Sequence, residues 1–532
     1  MKHNLLAAAL LLAPLGLTAR AVAAPIPFAP PPTMPGLTET LHAVRPLALA
    51  AGAPPPACTP DGSVSRQGAV LSVRLVFKRG RFMINNPDPT DPQPNHWDPV
   101  ELRSYGGCQS GPTMVVRPGD TLDVDLVNET DPNDPSCLPA PPPGLGVTPG
   151  VGCYNTTNLH LHGLHVSPTG NSDNVLLSIA PQTTFPYEVN IPADHPSGTF
   201  WYHAHRHGST ATQVASGTSG FLIVQGERPY TPPTPQNLHP IADIDTILHD
   251  ATGQPLTEQL FLFQQIAYAC FQNDPGQGPW QQLITTQGLY TVNTPGNSPI
   301  NTAPWVCPLG KPGKPVSPGV VENFSLQLDS PTIWDTNGRF TSINGVVQPT
   351  IAIHAGEIQR WRFLHAGIHD TINLQIVRAT PVAGRDLIAA SALTGNREQQ
   401  KSAVTAACAA TTATLVPQFE IASDGLTRTQ INKIYYTKDA KGAPVLQSNY
   451  LQPGYRSDIL VVFPTAGNYC LLDQQAPRAE RVSNGGGGGQ GPSTPQLLAY
   501  IQVLPGPPTP TVDKLQAYVE NALVRANPQL PA

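Results

Sequence analysis

The sequence predicts an all-β protein, and three observations carry that reading. Proline occupies 62 of 532 positions. Inside a helix each proline costs about 3 kcal/mol, and in a sheet it is confined to edges and turns, so a helix-rich chain is excluded and long loops are expected. The apolar segments are short and alternate with polar residues, the pattern of a half-buried strand. Two runs also set histidines at i and i+2 among residues that favour strand, a spacing that shares one face of a sheet. The length exceeds what a single core supports, so two to four domains are expected.

Composition narrows the function. Charged residues make up only 12% of the chain, against a usual value of about 25%. Net charge is -6 and the isoelectric point is 6.2. With no basic stripe and 6% aromatics, nucleic acid is excluded as a partner. Residues 1–23 read as a signal peptide: Lys2, an apolar core from Leu5 to Leu17, and the small residues Ala21, Val22 and Ala23 before the cut. No later apolar run reaches membrane-spanning length, so the mature protein is expected to be exported, periplasmic or secreted. The eight cysteines are dispersed, with no CxxC, which in an oxidising compartment points to disulfides. Cys137 with Cys153 and Cys270 with Cys307 are the local pairs expected; the rest of the connectivity stays open.

Residues 24–61, rich in proline and alanine, read as an extended or poorly ordered leader. Residues 69–84 alternate as a strand, 85–99 read as a loop, and 113–128 as a hairpin turning at Pro118, Gly119 and Asp120. Residues 220–230 close this first unit, and 231–240 are a linker. Further strands follow in QLFLFQQIAYACF, QFEIASDG, RSDILVVF, NYCLLDQQ and LLAYIQVL, with Gly485 to Gly489 as a flexible loop tip. The last segment, 506–532, carries Leu515, Val519, Leu523 and Val524 on one face.

The chemistry lies in residues 158–213. His160 and His162 form one His-x-His pair, His203 and His205 another. Two such strands side by side give four convergent nitrogens, a donor set that suits copper, zinc, iron or nickel. A lone HxH is more often a packed histidine pair; two of them, as HLHG and WYHAH, point to a metal. No GxSxG, phosphate-binding loop, dinucleotide fingerprint or carboxylate pair occurs in a credible context.

These motifs, with GPTMVVRPGDTLDVDLVNE before them and SGTSGFLIVQ after them, resemble the first two copper motifs of the multicopper oxidases, the superfamily of laccases, bilirubin oxidases and copper-efflux oxidases. The NG-x-x-x-P, GE-x-x-R-W-R-F, DG and PG-x-R-x-D segments further on are similar to that family's middle domain. The resemblance implies tandem cupredoxin-like (plastocyanin-like) Greek-key sandwiches, one over 62–230 and one over 231–505. It implies one-electron oxidation of a reducing substrate coupled to reduction of dioxygen to water. Residue by residue, it makes His160 a ligand of the type 2 copper and His162, His203 and His205 ligands of the type 3 pair. Asp173, in GNSDN, would deliver protons to the cluster; the alternative is an Asx turn.

Those four are half of the family's eight ligands. The other two motifs, H-P-x-H-x-H and H-C-H-x-x-x-H, do not occur, and no cysteine stands between two histidines. The resemblance therefore implies a chain without a type 1 copper site, its third domain missing. Residues 506–532 would be the start of that domain, and a separate chain carrying it would be the partner, beside dioxygen and the reducing substrate. The alternatives are an exported, non-catalytic copper-binding or scaffold protein and, more weakly, a zinc hydrolase using three of the histidines. His165 and His207 read as neighbours rather than ligands, His195 as part of a turn, and His354, His365 and His369 as structural.

Overall fold

The computed structural model describes residues 26–34, 58–87, 96–139, 152–236, 242–274, 278–291, 304–308, 317–328, 337–368, 370–382, 384, 397–474, 476 and 495–528. The signal peptide, the Gly485 to Gly489 tip and His369 lie outside them.

The first sandwich has one sheet of β1 (Gly62–Gln67), β2 (Val70–Asn86), β5 (Thr121–Asn128) and β7 (Thr183–Asn190), with β3 (His96–Tyr105) paired to β2. Its other sheet has the order β4 (Met114–Val116), β9 (Ser219–Val224), β8 (Gly198–His203), β6 (His160–His162). Alternation puts Leu71, Val73, Leu75, Leu122, Val124 and Leu126 between the sheets, facing Leu161, Phe200, Tyr202 and Leu222. The expected hairpin over 113–128 does not form: β4 pairs in parallel with β9, while β5 pairs in parallel with β2 and antiparallel with β7. The Pro118-Gly119-Asp120 turn, with Gly119 at φ 89°, carries the chain from one sheet to the other instead. The loop expected over 85–99 is shorter than that, because β2 and β3 pair from Asn86 and His96 inward.

The second sandwich sets a seven-stranded sheet against a five-stranded one. The larger contains β10 (Thr257–Gln264), β17 (Gln359–His365), β24 (Arg456–Val461), β19 (Gln418–Ser423) and β20 (Leu426–Ile434). Between the sheets lie Phe261, Phe263, Trp361, Phe363, Ile459 and Ile501. Residues 515–526 form a helix whose Leu515 and Val519 are buried on Phe419, Leu460 and Val462, with Leu523 partly buried. Val524, expected on the same face, is 48% exposed. This segment packs on the second sandwich, and no described helix is long and apolar enough to cross a membrane.

The described part of the leader is extended, one of the two forms expected, and it is packed against the body. Residues 26–34 are a strap across both sandwiches: Phe28 packs on Phe261 in the second core, with ring centroids 4.9 Å apart, while Met34 is buried in the first. The strap is tied by Phe28 N–H to Thr350 O at 2.9 Å and by Thr113 N–H to Pro32 O at 2.9 Å. Proline suits it, because a strap bonded along one edge needs few of its own N–H groups. Phe28→Ala is expected to lower stability by about 3 kcal/mol, read from the urea midpoint, through the cavity it leaves. A change below about 1 kcal/mol would mean that the strap merely rests on the surface.

All eight cysteines are paired, as Cys58–Cys108, Cys137–Cys153, Cys270–Cys307 and Cys408–Cys470. The two local pairs are those the sequence suggested.

Candidate metal centre

β6 and β8 run antiparallel with His160 opposite His203, Leu161 opposite Tyr202, and His162 opposite Trp201. A strand alternates faces, so His160, His162, Trp201 and His203 share one face while Leu161, Phe200 and Tyr202 point into the core. Apolar residues between the histidines thus anchor the strands that present them. The ligating nitrogens of His160, His162 and His203 lie within 4.8 Å of one another. His205, just past the end of β8, is exposed and lies beside this trio rather than within it, its ring 5.1 Å from that of His160 and 5.6 Å from that of His203.

Local partners set the tautomers. His160 Nδ1 lies 2.9 Å from Asp173 Oδ1, and His203 Nδ1 lies 2.9 Å from the Ala204 carbonyl. Each acceptor takes an Nδ1 proton and leaves the Nε2 lone pair for a metal. His162 Nδ1 is 3.2 Å from His203 Nε2. Two nitrogens bound to one ion at about 2.0 Å and a tetrahedral angle stand about 3.3 Å apart, so the pair fits a shared cation. Burial, then the nearby Arg456 guanidinium, pushes His162 down to about 4, and burial holds His203 well below the usual imidazole range. Both rings are neutral at pH 7, the form a metal requires.

Asp173 does more than close a turn. Its Oδ1 also accepts the Leu161 N–H at 2.8 Å, so one carboxylate oxygen holds both the ring and the backbone of β6. Asn158 has a parallel task that the sequence reading missed: its Oδ1 accepts the His205 N–H at 2.7 Å while its amide donates to Val175 O and Leu177 O. Trp201 was read only as a strand residue. Its indole stacks on His162 and His203 at centroid distances of 4.9 and 4.2 Å, and the WYH run was the available signal.

The remaining histidines are accounted for locally. His195 Nδ1 faces the Pro196 carbonyl and its Nε2 accepts the His165 N–H at 3.0 Å, so it is a turn residue, and the His165 ring packs on it at 5.3 Å. His207 is exposed. In the second sandwich, His354 Nδ1 faces Pro505 O, and His365 lies between Asp370 O and the Gly367 N–H, with burial pushing it down to about 4.

A family model described as multicopper oxidase matches residues 152–229, the stretch that builds this face. Over these residues the chain is similar to the multicopper oxidases. It is 27% identical over 149 residues to a multicopper oxidase of Staphylococcus haemolyticus, covering 28% of this chain and 27% of that one. It is 29% identical over 148 residues to Laccase-1 of Thanatephorus cucumeris, covering 27% of this chain and 20% of that one. The matched region thus spans about a quarter of the length of these relatives. Among solved structures, a multicopper oxidase described as a metallo-oxidase, from Campylobacter jejuni, is similar with 16% identity and a TM-score of 0.45, over 84% of this chain and 60% of that one.

Proposed function

We infer that this chain is a member of the multicopper oxidase family and an exported copper-binding oxidoreductase, in which His160, His162, His203 and His205 hold copper as half of a type 2 and type 3 centre. The observation that carries the reading is the trio of imidazoles with converging nitrogens, two of them with Nδ1 protons engaged by Asp173 and Ala204. Copper held there would supply one-electron chemistry toward dioxygen. The chain's own part is to orient the imidazoles, keep His162 and His203 neutral and shield those two beneath Trp201. Asp173 is assigned as the residue that positions His160. Its carboxyl oxygen beside the ring also suits the proton delivery that the family resemblance implies.

A blue type 1 site needs a thiolate, and every cysteine here is engaged in a disulfide. The electron relay and the remaining ligands would therefore come from a further cupredoxin-like domain, for which a partner chain is one source. Four disulfides support an oxidising, extracytoplasmic setting. The reducing substrate would be met at that domain's type 1 site.

The test is copper titration of the purified chain, followed by metal analysis and electron paramagnetic resonance. Bound copper with imidazole nitrogen coupling and no intense blue colour is expected. Asp173→Asn should weaken that binding about 10- to 100-fold, as loss of an outer hydrogen-bond partner does. Turnover of a phenol with oxygen by the chain alone would contradict the need for a further domain, and retention of zinc in preference to copper would favour the hydrolase alternative.

A further inference from the structure

Opposite charges flank the histidine face. At the His160 end stands Asp173, its side chain 10% exposed. At the His162 end stands Arg456, on β24 of the second sandwich, its side chain 4% exposed. Its guanidinium is aimed by backbone carbonyls: Nε–H donates to Thr199 O at 3.3 Å, Nη1–H to Gly454 O at 2.9 Å and Nη2–H to Asp424 O at 2.9 Å. Gly163 lets it approach. A Cβ on Gly163, the residue after His162, would lie 2.6 Å from Nη2. One on Gly454 would lie 3.4 Å from Cε1 of His162. Carbonyl dipoles orient the cation without cancelling its charge. The carboxylate that pairs with it, Asp424 at 3.1 Å, is 43% exposed and so screened by solvent.

We propose that Arg456 is a positioning residue that polarises the metal centre, so that copper held at His162 and His203 favours the reduced state relative to copper held at His160. The inference rests on the copper reading above. Reduction of Cu(II) to Cu(I) removes one positive charge, and a fixed cation in a partly desolvated setting favours the less charged ion, while the Asp173 carboxylate favours the more charged one. The second sandwich then acts on the site held by the first through a single buried charge.

The experiment measures Cu(I) and Cu(II) dissociation constants of the full chain by competition with a chelator specific for each ion. Arg456→Met should lower the preference for Cu(I) over Cu(II) about tenfold, equivalent to about 59 mV for one electron. Arg456→Lys, which keeps the charge, should restore most of it. Asp424→Asn removes the exposed counter-charge, keeps an acceptor oxygen, and should move the preference the opposite way. That variant spares the buried core and so reads the effect even where Arg456→Met folds poorly. Equal weakening of both ions in Arg456→Met, with Asp424→Asn silent, would reduce Arg456 to a packing role and overturn the proposal. Failure of the unsubstituted chain to bind either ion would overturn the copper reading and this inference with it.

Discussion

Arg360→Met is expected to destabilise the protein by about 3–5 kcal/mol at pH 7, the cost of breaking a buried charge network by removing one partner. Arg360 is fully buried, with Nη1 2.6 Å from Asp245 and 3.1 Å from Glu258, and Nη2 2.6 Å from Asp458. Arg362 shares all three carboxylates. Without Arg360, three carboxylates of at most 9% side-chain exposure are left to one guanidinium. The sign of the pH dependence follows from Asp245. Burial pushes its carboxyl up, but Arg360 and Arg362 more than offset that and hold it below its usual 3.8. Its contribution is present above 3.8 and is lost only as pH falls below that, through the lower folded value. In the variant Asp245 keeps its burial but loses Arg360, so the cost should be full at neutral pH and shrink toward pH 4 as its carboxyl takes up a proton. Urea unfolding at the two pH values reads this, and an equal cost at both would remove the electrostatic account.

The network also reaches the metal centre. Thr199, four residues before His203 on β8, donates to Asp458 Oδ1 at 2.6 Å and accepts from Arg362 at 3.0 Å. Loss of Arg360 should therefore loosen β8 and weaken copper binding along with stability.

His203→Ala should lower copper affinity more than about a hundredfold, beyond the 10- to 100-fold typical of losing an outer partner. His203 lies at the centre of the site: it is 6% exposed, stacked on Trp201, directly across from His160 and 3.2 Å from His162. His205→Ala should cost less, since that ring is exposed beside the trio, and His207→Ala should change nothing. Chelator competition on the three variants, with circular dichroism to verify folding, ranks them. Copper retained by His203→Ala but lost by His207→Ala would move the site off this face.

Much of this was legible in one dimension. The i and i+2 histidines had to share a face because a strand has period two, whatever sheet it joined. Cys137 with Cys153, and Cys270 with Cys307, are each separated by fewer than 40 residues. The apolar positions Leu515 and Val519 marked the buried face of the last helix. Local periodicity and short separations decide such features because the interacting residues are neighbours in the chain.

The tertiary structure alone decided which strands meet. Alternation in residues 113–128 fitted a hairpin as well as it fitted two strands in separate sheets, since period two names a face and not a partner. Register placed Trp201 opposite His162, and a one-residue slip would have turned it into the core. The strap was hidden because proline-rich composition looks the same whether it crosses solvent or a groove. Arg456 comes to the site from nearly 300 residues beyond His162, through the packing of one sandwich on the other. Its charge was plain in the sequence; its place beside the metal centre depends on contacts between residues far apart in the chain, which composition and periodicity do not encode.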